Sequence, residues 1–348
     1  MPVAVLEKAR DEMLSLNNIG MSVMEISHRS KHFEPILHGA IEGICELLNV
    51  PENYKILFLQ GGASLQFSMI PLNFLGKNET ADYVVTGAWG TKAIKEAKRC
   101  GNANQIFSTA EEGFKSVPQQ DEINFSKNAR YVHYTSNETI EGVEFKYDLD
   151  GKGVPVVCDA SSNILSKPID VEKYALIYAG AQKNIGPSGI TLVVIRNDLI
   201  EQVPVGQHSM LNYRAFASHD SMLNTPNTWG IYIVNLVCEW LKKKGGVKAM
   251  AKINERKAKI LYDAIDSSDG FYRGHAEKEA RSLMNVTFRL PSEELEKHFS
   301  AQAAARGLDG LQGHRSVGGI RASIYNAFPH EGAEALVEFM KDFAHKNG

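Results

Sequence analysis

Tyr178-Ala179-Gly180-Ala181-Gln182-Lys183-Asn184-Ile185-Gly186-Pro187-Ser188-Gly189 is the stretch on which the fold of this chain turns. It lies between two β-patterned runs, Tyr174 to Ala179 and Ile190 to Arg196, and is made of small residues and glycines. That setting puts Lys183 at the end of buried strands and not on a helix surface. A desolvated amine holds its proton less tightly and can act as nucleophile and base near neutrality. Upstream, the apolar run Val154-Pro155-Val156-Val157-Cys158-Asp159-Ala160 leads directly into a carboxylate.

Outward from this pair, strand-like runs alternate with helical ones, the pattern of an α/β protein with a mostly parallel sheet. Helices are expected at 3–15, 33–48, from about Ser64, and at Thr91 to Arg99. Strands are expected at Lys55 to Gln60, Ala81 to Val85 and Ala129 to Tyr134. The strand at Ile190 to Arg196 is open to either direction. Two helices, 228–244 and 247–266, are broken at Gly245-Gly246, a boundary between a large unit and a smaller C-terminal one. Beyond it come strands at Leu283 to Leu290 and Gly319 to Ile324, with helices at Pro291 to Arg306 and 330–345. The expected division is a large domain at 15–245 and a small α/β domain at 246–348, with residues 1–14 joining the latter.

A length of 348 residues favours two domains. A net charge of -3 gives no ground for nucleic-acid binding, which carries a basic bias. Cys45, Cys100, Cys158 and Cys238 lie far apart and show no metal-ligand spacing, which suits reduced thiols of the cytoplasm. No apolar run is long enough for a membrane span, and the start, Met1 to Lys8, reads as helix and not as a signal peptide.

Chemistry gathers at strand ends. Gly61-Gly62-Ala63-Ser64 lies between a strand and a helix, where glycines admit an anion and a helix N-terminus supplies free N–H groups. Trp89 sits in the turn Gly87-Ala88-Trp89-Gly90 and offers a flat ring, and Thr139 follows the third strand with a hydroxyl. Each alone has an ordinary explanation: a common turn, a core tryptophan, a loop threonine, a strand-end cap at Asp159. Together, an anion cradle, a ring, a hydroxyl, an acid and an amine each follow a different strand, and strand ends in an open α/β sheet converge on one crevice. The set is what pyridoxal 5'-phosphate requires: an amine to bind it and an acid for its ring nitrogen.

Basic residues form a second set. Ser27-His28-Arg29 lies near the start, and Gly313-His314-Arg315-Ser316-Val317-Gly318-Gly319-Ile320-Arg321 near the end. Arginine forks bind carboxylate or phosphate bidentately, so these residues suit a substrate with two anionic groups. The other histidines, His133 among them, read as surface or structural.

Several segments resemble the phosphoserine aminotransferase family, class V of the pyridoxal-phosphate enzymes of fold type I. They are Met21 to Arg29, Ala179 to Gly189, Ser221-Met222-Leu223-Asn224-Thr225-Pro226, and Gly313 to Pro329 with Arg321-Ala322-Ser323-Ile324-Tyr325-Asn326-Ala327. The resemblance implies that Lys183 binds the cofactor covalently and Asp159 pairs with its ring nitrogen. Trp89 would stack on the ring, and Thr139 would bond its phenolic oxygen. Ala63, Ser64 and Gln182 would hold its phosphate, joined by Asn224 and Thr225 of a neighbouring subunit. His28, Arg29, His314 and Arg315 would receive a substrate phosphate, and Arg321 the α-carboxylate. A cytoplasmic homodimer with shared active sites is implied, acting on small amino and oxo acids in serine biosynthesis. 4-Phosphohydroxythreonine, in pyridoxine biosynthesis, is a further candidate substrate.

Two departures from the family pattern stand out. Ser64 occupies a position where some relatives carry arginine, and the chain opens close to its first helix, without the usual Gly-Pro-Ala stretch. Restoring about a dozen residues is expected to lower the Michaelis constant. A serine–glyoxylate aminotransferase or a cysteine desulfurase would share Lys183 and Asp159, yet neither needs two His-Arg clusters. A binding or scaffold protein on the same fold is the remaining alternative.

Overall fold

The computed structural model describes residues 1–315 and 317–348; Ser316, within the second basic segment, lies outside the described residues. Helices α1 (Val3–Asp11) and α2 (Glu34–Leu48) precede β1 (Tyr54–Leu59), α3 (Gly62–Phe74), β2 (Thr80–Val85), α4 (Ala88–Ala97), β3 (Asn102–Ser108) and β4 (Val132–Thr135). A short ribbon of β5 (Asn137–Glu138) and β6 (Val143–Glu144) leads to β7 (Val156–Asp159), β8 (Leu176–Gly180) and β9 (Thr191–Arg196). Helices α5 (Asn197–Ile200), α6 (Tyr213–Ala217), α7 (Thr228–Lys243) and α8 (Gly246–Asp266) follow. Then come β10 (Arg273–Gly274), β11 (Asn285–Arg289), α9 (Glu293–Ala305), β12 (Ile320–Ser323) and α10 (His330–Asn347).

The main sheet runs in the order β1-β9-β8-β7-β4-β2-β3. Strands β8, β7, β4, β2 and β3 pair in parallel, while β9 is antiparallel to both β8 and β1. Strand β1 therefore points the same way as β8, and β9 alone is reversed, which settles the direction left open for Ile190 to Arg196. The loops after β1, β2, β4, β7 and β8 all leave from one edge.

Side chains alternate between faces along each strand. Ile56, Phe58, Ile177 and Ala179 face α2 and α7, whereas Leu57, Leu59, Leu176 and Tyr178 face α3 and α4. Helices thus cover both sides of the central strands, as buried parallel strands require. The antiparallel sheet β10-β11-β12 has its own core with α8, α9 and α10, where Phe288, Phe299, Phe339 and Phe343 meet mostly edge to face. Gly245 and Gly246, both at positive φ, break α7 from α8 as expected.

Some elements depart from the sequence pattern, among them two helix boundaries and one unexpected strand. Helix α1 stops at Asp11 instead of reaching residue 15, where the exposed Leu14 has no core to enter. Strand β3 lies at the sheet edge, and its exposed polar residues gave no apolar signal. Helix α4 begins at Ala88, three residues before the expected Thr91, because carboxylates from a distant loop cap it.

Candidate active site

A cavity of about 410 Å³ opens where the parallel strands end, within the range of small-molecule sites. Its floor begins with the turn after β1. Gly61 and Gly62 have φ of 85° and 65°, and a Cβ on Gly61 would stand 2.4 Å from the Leu65 side chain. Only glycine fits there. Ala63 and Ser64, in the first turn of α3, line the cavity, and no side chain of the N-cap residue caps that helix start. A helix start of this kind attracts an anion.

Trp89 forms one wall. It stands in the first turn of α4, with Phe67 at 6.4 Å and Lys92 Nζ 4.1 Å from the ring centroid. Lys183 Nζ lies 5.7 Å from the same centroid. Lys183 donates to Thr139 Oγ1 at 2.7 Å and to Ser162 Oγ at 2.8 Å. Its surface is half-buried because it opens on the cavity, but the amine itself is enclosed. Burial lowers its pKa to about 8, opposed by Asp159 and Glu138 and reinforced by Arg321.

Asp159 ends β7, is buried, and accepts the Ser161 N–H at 2.9 Å. Burial raises its pKa, while the hydrogen bond from Ser161 and the charge of Lys183 pull the other way. Behind it, Tyr178 lies opposite Asp159 in the strand register, and its hydroxyl bonds His133 Nε2 at 2.9 Å. His133 is therefore a structural support. Gln182 also lines the cavity. Thr135 Oγ1 and Trp89 Nε1 are buried beside the cavity and make no hydrogen bond to protein.

The basic residues divide. Arg321 on β12 is half-buried, and its charge acts on Lys183 and Glu141. His314 has its pKa lowered by burial and then by Arg321, Arg315 and Lys92, so these cations share one neighbourhood. Arg315 is exposed and lines a separate groove with Glu296 and Lys297. His28, Arg29, Asn224 and Thr225 are not among the residues that line the cavity of this chain. His28 Nε2 is buried without a partner, and Asn224 donates to Thr225 O at 3.0 Å.

Ser162, Lys92, Glu138 and Glu141, at or beside the site, are among the residues that escaped the sequence reading. Ser162 sits three positions past Asp159, and its place just beyond a strand end was the available signal. Lys92 follows Trp89 by three positions, so both share one helix face. Glu138 and Glu141 flank Thr139 and looked like part of an ordinary polar loop.

The profile of the class-V aminotransferase family matches residues 1–336. Phosphoserine aminotransferase of Geobacillus kaustophilus is 55% identical over 343 residues, which cover 99% of this chain and 95% of that protein. The solved phosphoserine aminotransferase of Bacillus circulans subsp. alkalophilus is 48% identical, with a TM-score of 0.98 over 100% of this chain and 96% of the other. A PLP-bound phosphoserine aminotransferase from Trichomonas vaginalis is 42% identical, with a TM-score of 0.93 over 98% and 97%.

Proposed function

This chain belongs to the phosphoserine aminotransferase family of the class-V aminotransferases, and from that membership we propose how its cavity works. The reaction is the reversible transamination of O-phospho-L-serine with 2-oxoglutarate, giving 3-phosphohydroxypyruvate and L-glutamate. Pyridoxal phosphate is the cofactor. The donor set fits it: an uncapped helix start for the phosphate, a flat indole for the ring, and a buried acid and amine. Thr135 Oγ1 and Trp89 Nε1, both without protein partners, leave further polar capacity along the wall.

The observation that carries the reading is Lys183, whose amine is held by Thr139 and Ser162 at one end of the cavity and biased by burial toward its neutral form. Lys183 would hold the cofactor and, once freed, take the proton from the substrate Cα and return it. Asp159 would keep a proton on the ring nitrogen. Bound pyridoxal phosphate supplies the electron sink for that proton removal. Ala63, Ser64 and Gln182 would hold its phosphate. Arg321 and His314 would receive the anionic groups of the substrate.

Two halves of a homodimer complete the site in this reading. Asn224, Thr225, His28 and Arg29 would serve a neighbouring subunit's cavity, and none of them is among the residues that line this chain's own. The separate core of the C-terminal sheet supports a division into units at 15–245 and 246–348. Four free thiols suit a cytoplasmic enzyme, and no helix among the described residues is long and apolar enough to cross a membrane.

The visible spectrum of the purified protein tests this reading. The expected outcome is a yellow protein bleached by phosphoserine and restored by 2-oxoglutarate, with Lys183→Ala losing both responses. Bleaching by serine or cysteine alone would assign the fold to another class-V reaction, and a protein that takes up no cofactor would overturn the enzyme reading.

A further inference from the structure

Three successive backbone N–H groups at the start of α4 end on two carboxylates from one loop. Ala88 N–H donates to Glu141 Oε1 at 3.0 Å, Trp89 N–H to Glu138 Oε2 at 2.9 Å, and Gly90 N–H to Glu138 Oε1 at 2.7 Å. These are the donors a helix leaves without internal partners, and negative charge is favoured beside them. A cap usually comes from the residue just before the helix. Here it comes from β5 and the turn after it, 48 to 53 residues further along the chain.

The two carboxyls crowd the same space. A Cβ on Gly87 would stand 2.5 Å from Glu138 Cδ and 2.7 Å from Glu141 Oε2, so only glycine allows both to approach. Both side chains are buried, at 0% and 5% exposure, and Glu141 Oε2 has no hydrogen-bond partner. Two full negative charges in such a place repel strongly. One proton held between them removes that repulsion and still leaves acceptors for all three N–H groups. Thr287 Oγ1 donates to Glu141 O at 2.7 Å and fixes the loop from the C-terminal sheet.

We propose that Glu138 and Glu141 are positioning residues for Trp89, acting as one proton-sharing carboxyl pair that fixes the first turn of α4 and holds the indole against the cofactor cavity. The proposal rests on the pyridoxal phosphate reading of that cavity. Burial raises the pKa of both carboxyls, and their mutual repulsion raises that of Glu138 further. The charged groups that face the pair are Asp159 toward Glu138, with Glu138 acting in turn on Lys183, and Lys92 and Arg321 toward Glu141. Loss of the shared proton as pH rises would add a second charge beneath Trp89 and beside Arg321.

The test uses the full chain with Trp89 as its sole tryptophan, in a W229F/W240F background. Pyridoxal phosphate affinity is read from quenching of Trp89 emission, and ring placement from the induced circular dichroism of the bound cofactor, between about pH 6 and about pH 9. E138Q keeps one acceptor oxygen where two are needed. It is expected to weaken cofactor binding about tenfold or more and to reduce the induced signal. E141Q removes the shared proton without removing the Ala88 acceptor, and is expected to flatten the pH dependence of Trp89 emission. Lys183 titrates in the same range, so the difference between E141Q and its parent is the deciding quantity. An E138Q protein that matches its parent in affinity and dichroism overturns the proposal, as does an unchanged pH profile in E141Q. Where E138Q does not fold, the E141Q profile decides alone. A parent protein that takes up no pyridoxal phosphate refutes the cavity reading itself, a result distinct from variants that bind like their parent.

Discussion

Lys183 Nζ sits 2.7 Å from Thr139 Oγ1, and that hydroxyl stands 2.6 Å from Ser162 Oγ, so one small triangle of groups holds the amine. A charged amine gains more from such acceptors than a neutral one. Thr139→Val removes one of the two acceptors and leaves the fold of the loop to its backbone bonds. The neutral fraction of Lys183 at pH 7 should then rise about threefold to tenfold. The rate at which cofactor-free protein takes up pyridoxal phosphate measures this fraction, and its pH profile should move to lower pH. A profile that stays in place would show that Thr139 does not bias the amine.

Replacing the amine altogether changes stability in a pH-dependent way. The folded protein holds Lys183 at about 8, below its ordinary 10.5. A depressed value means that stability is fully present above 10.5 and is lost as pH falls through about 8. Cofactor-free Lys183→Met carries no such loss. It should be more stable than the wild type at pH 7 by about 1–2 kcal/mol, less than for a fully enclosed amine because the lysine lines an open cavity. The advantage should vanish towards about pH 10. Urea unfolding at the two pH values measures it.

How far the sequence led can be seen from where each residue sits. Lys183, Asp159, Trp89, Thr139 and the Gly61 turn were legible because each follows a patterned strand, and the sheet brings strand ends together. Glu138 and Glu141 were not legible, since their partners lie 48 to 53 residues away and only the folded loop shows the contact. The early start of α4 was hidden for the same reason: its cap is tertiary. Strand β3 was missed because an edge strand need not be apolar. The likeness of His28 and Arg29 to a family motif placed them at an active site, a position that strand ends alone do not signal, and they are not among the residues lining this chain's cavity.

Glu144 ties the loop of the cavity to the C-terminal sheet. It is buried, bonds Lys167 at 2.8 Å and Lys146 at 3.3 Å, and accepts the Leu283 N–H at 3.0 Å. Burial pushes its pKa up, but Lys167 and Lys146 outweigh burial and hold it at about 2. A depressed carboxylate contributes stability above its ordinary value of 4.5, and that contribution is lost as pH falls through about 2. Glu144→Gln leaves two lysines without their partner. The expected cost at pH 7 is about 2 kcal/mol, less than for a fully buried pair because both lysines reach solvent. Urea unfolding should show the cost shrinking as pH falls from about 5 to about 2.

Arg321 carries the last prediction, because its backbone is fixed independently of its side chain. Its N–H donates to Leu311 O at 2.8 Å, and it pairs with Thr287 in the β11–β12 register. Just beyond it, the buried amine of Lys257 donates to the carbonyls of Ile324, Tyr325 and Phe328 at 3.0, 2.8 and 3.1 Å. The strand thus presents residue 321 in one place whatever its side chain. Arg321→Lys keeps the charge but loses the planar fork that grips a carboxylate bidentately. kcat/KM should fall by about a hundredfold for phosphoserine and for glutamate alike, since both carry the same α-carboxylate. Steady-state kinetics in each direction measures the two losses. A loss confined to phosphoserine would instead place Arg321 at the substrate phosphate, and equal kinetics with wild type would remove it from the site.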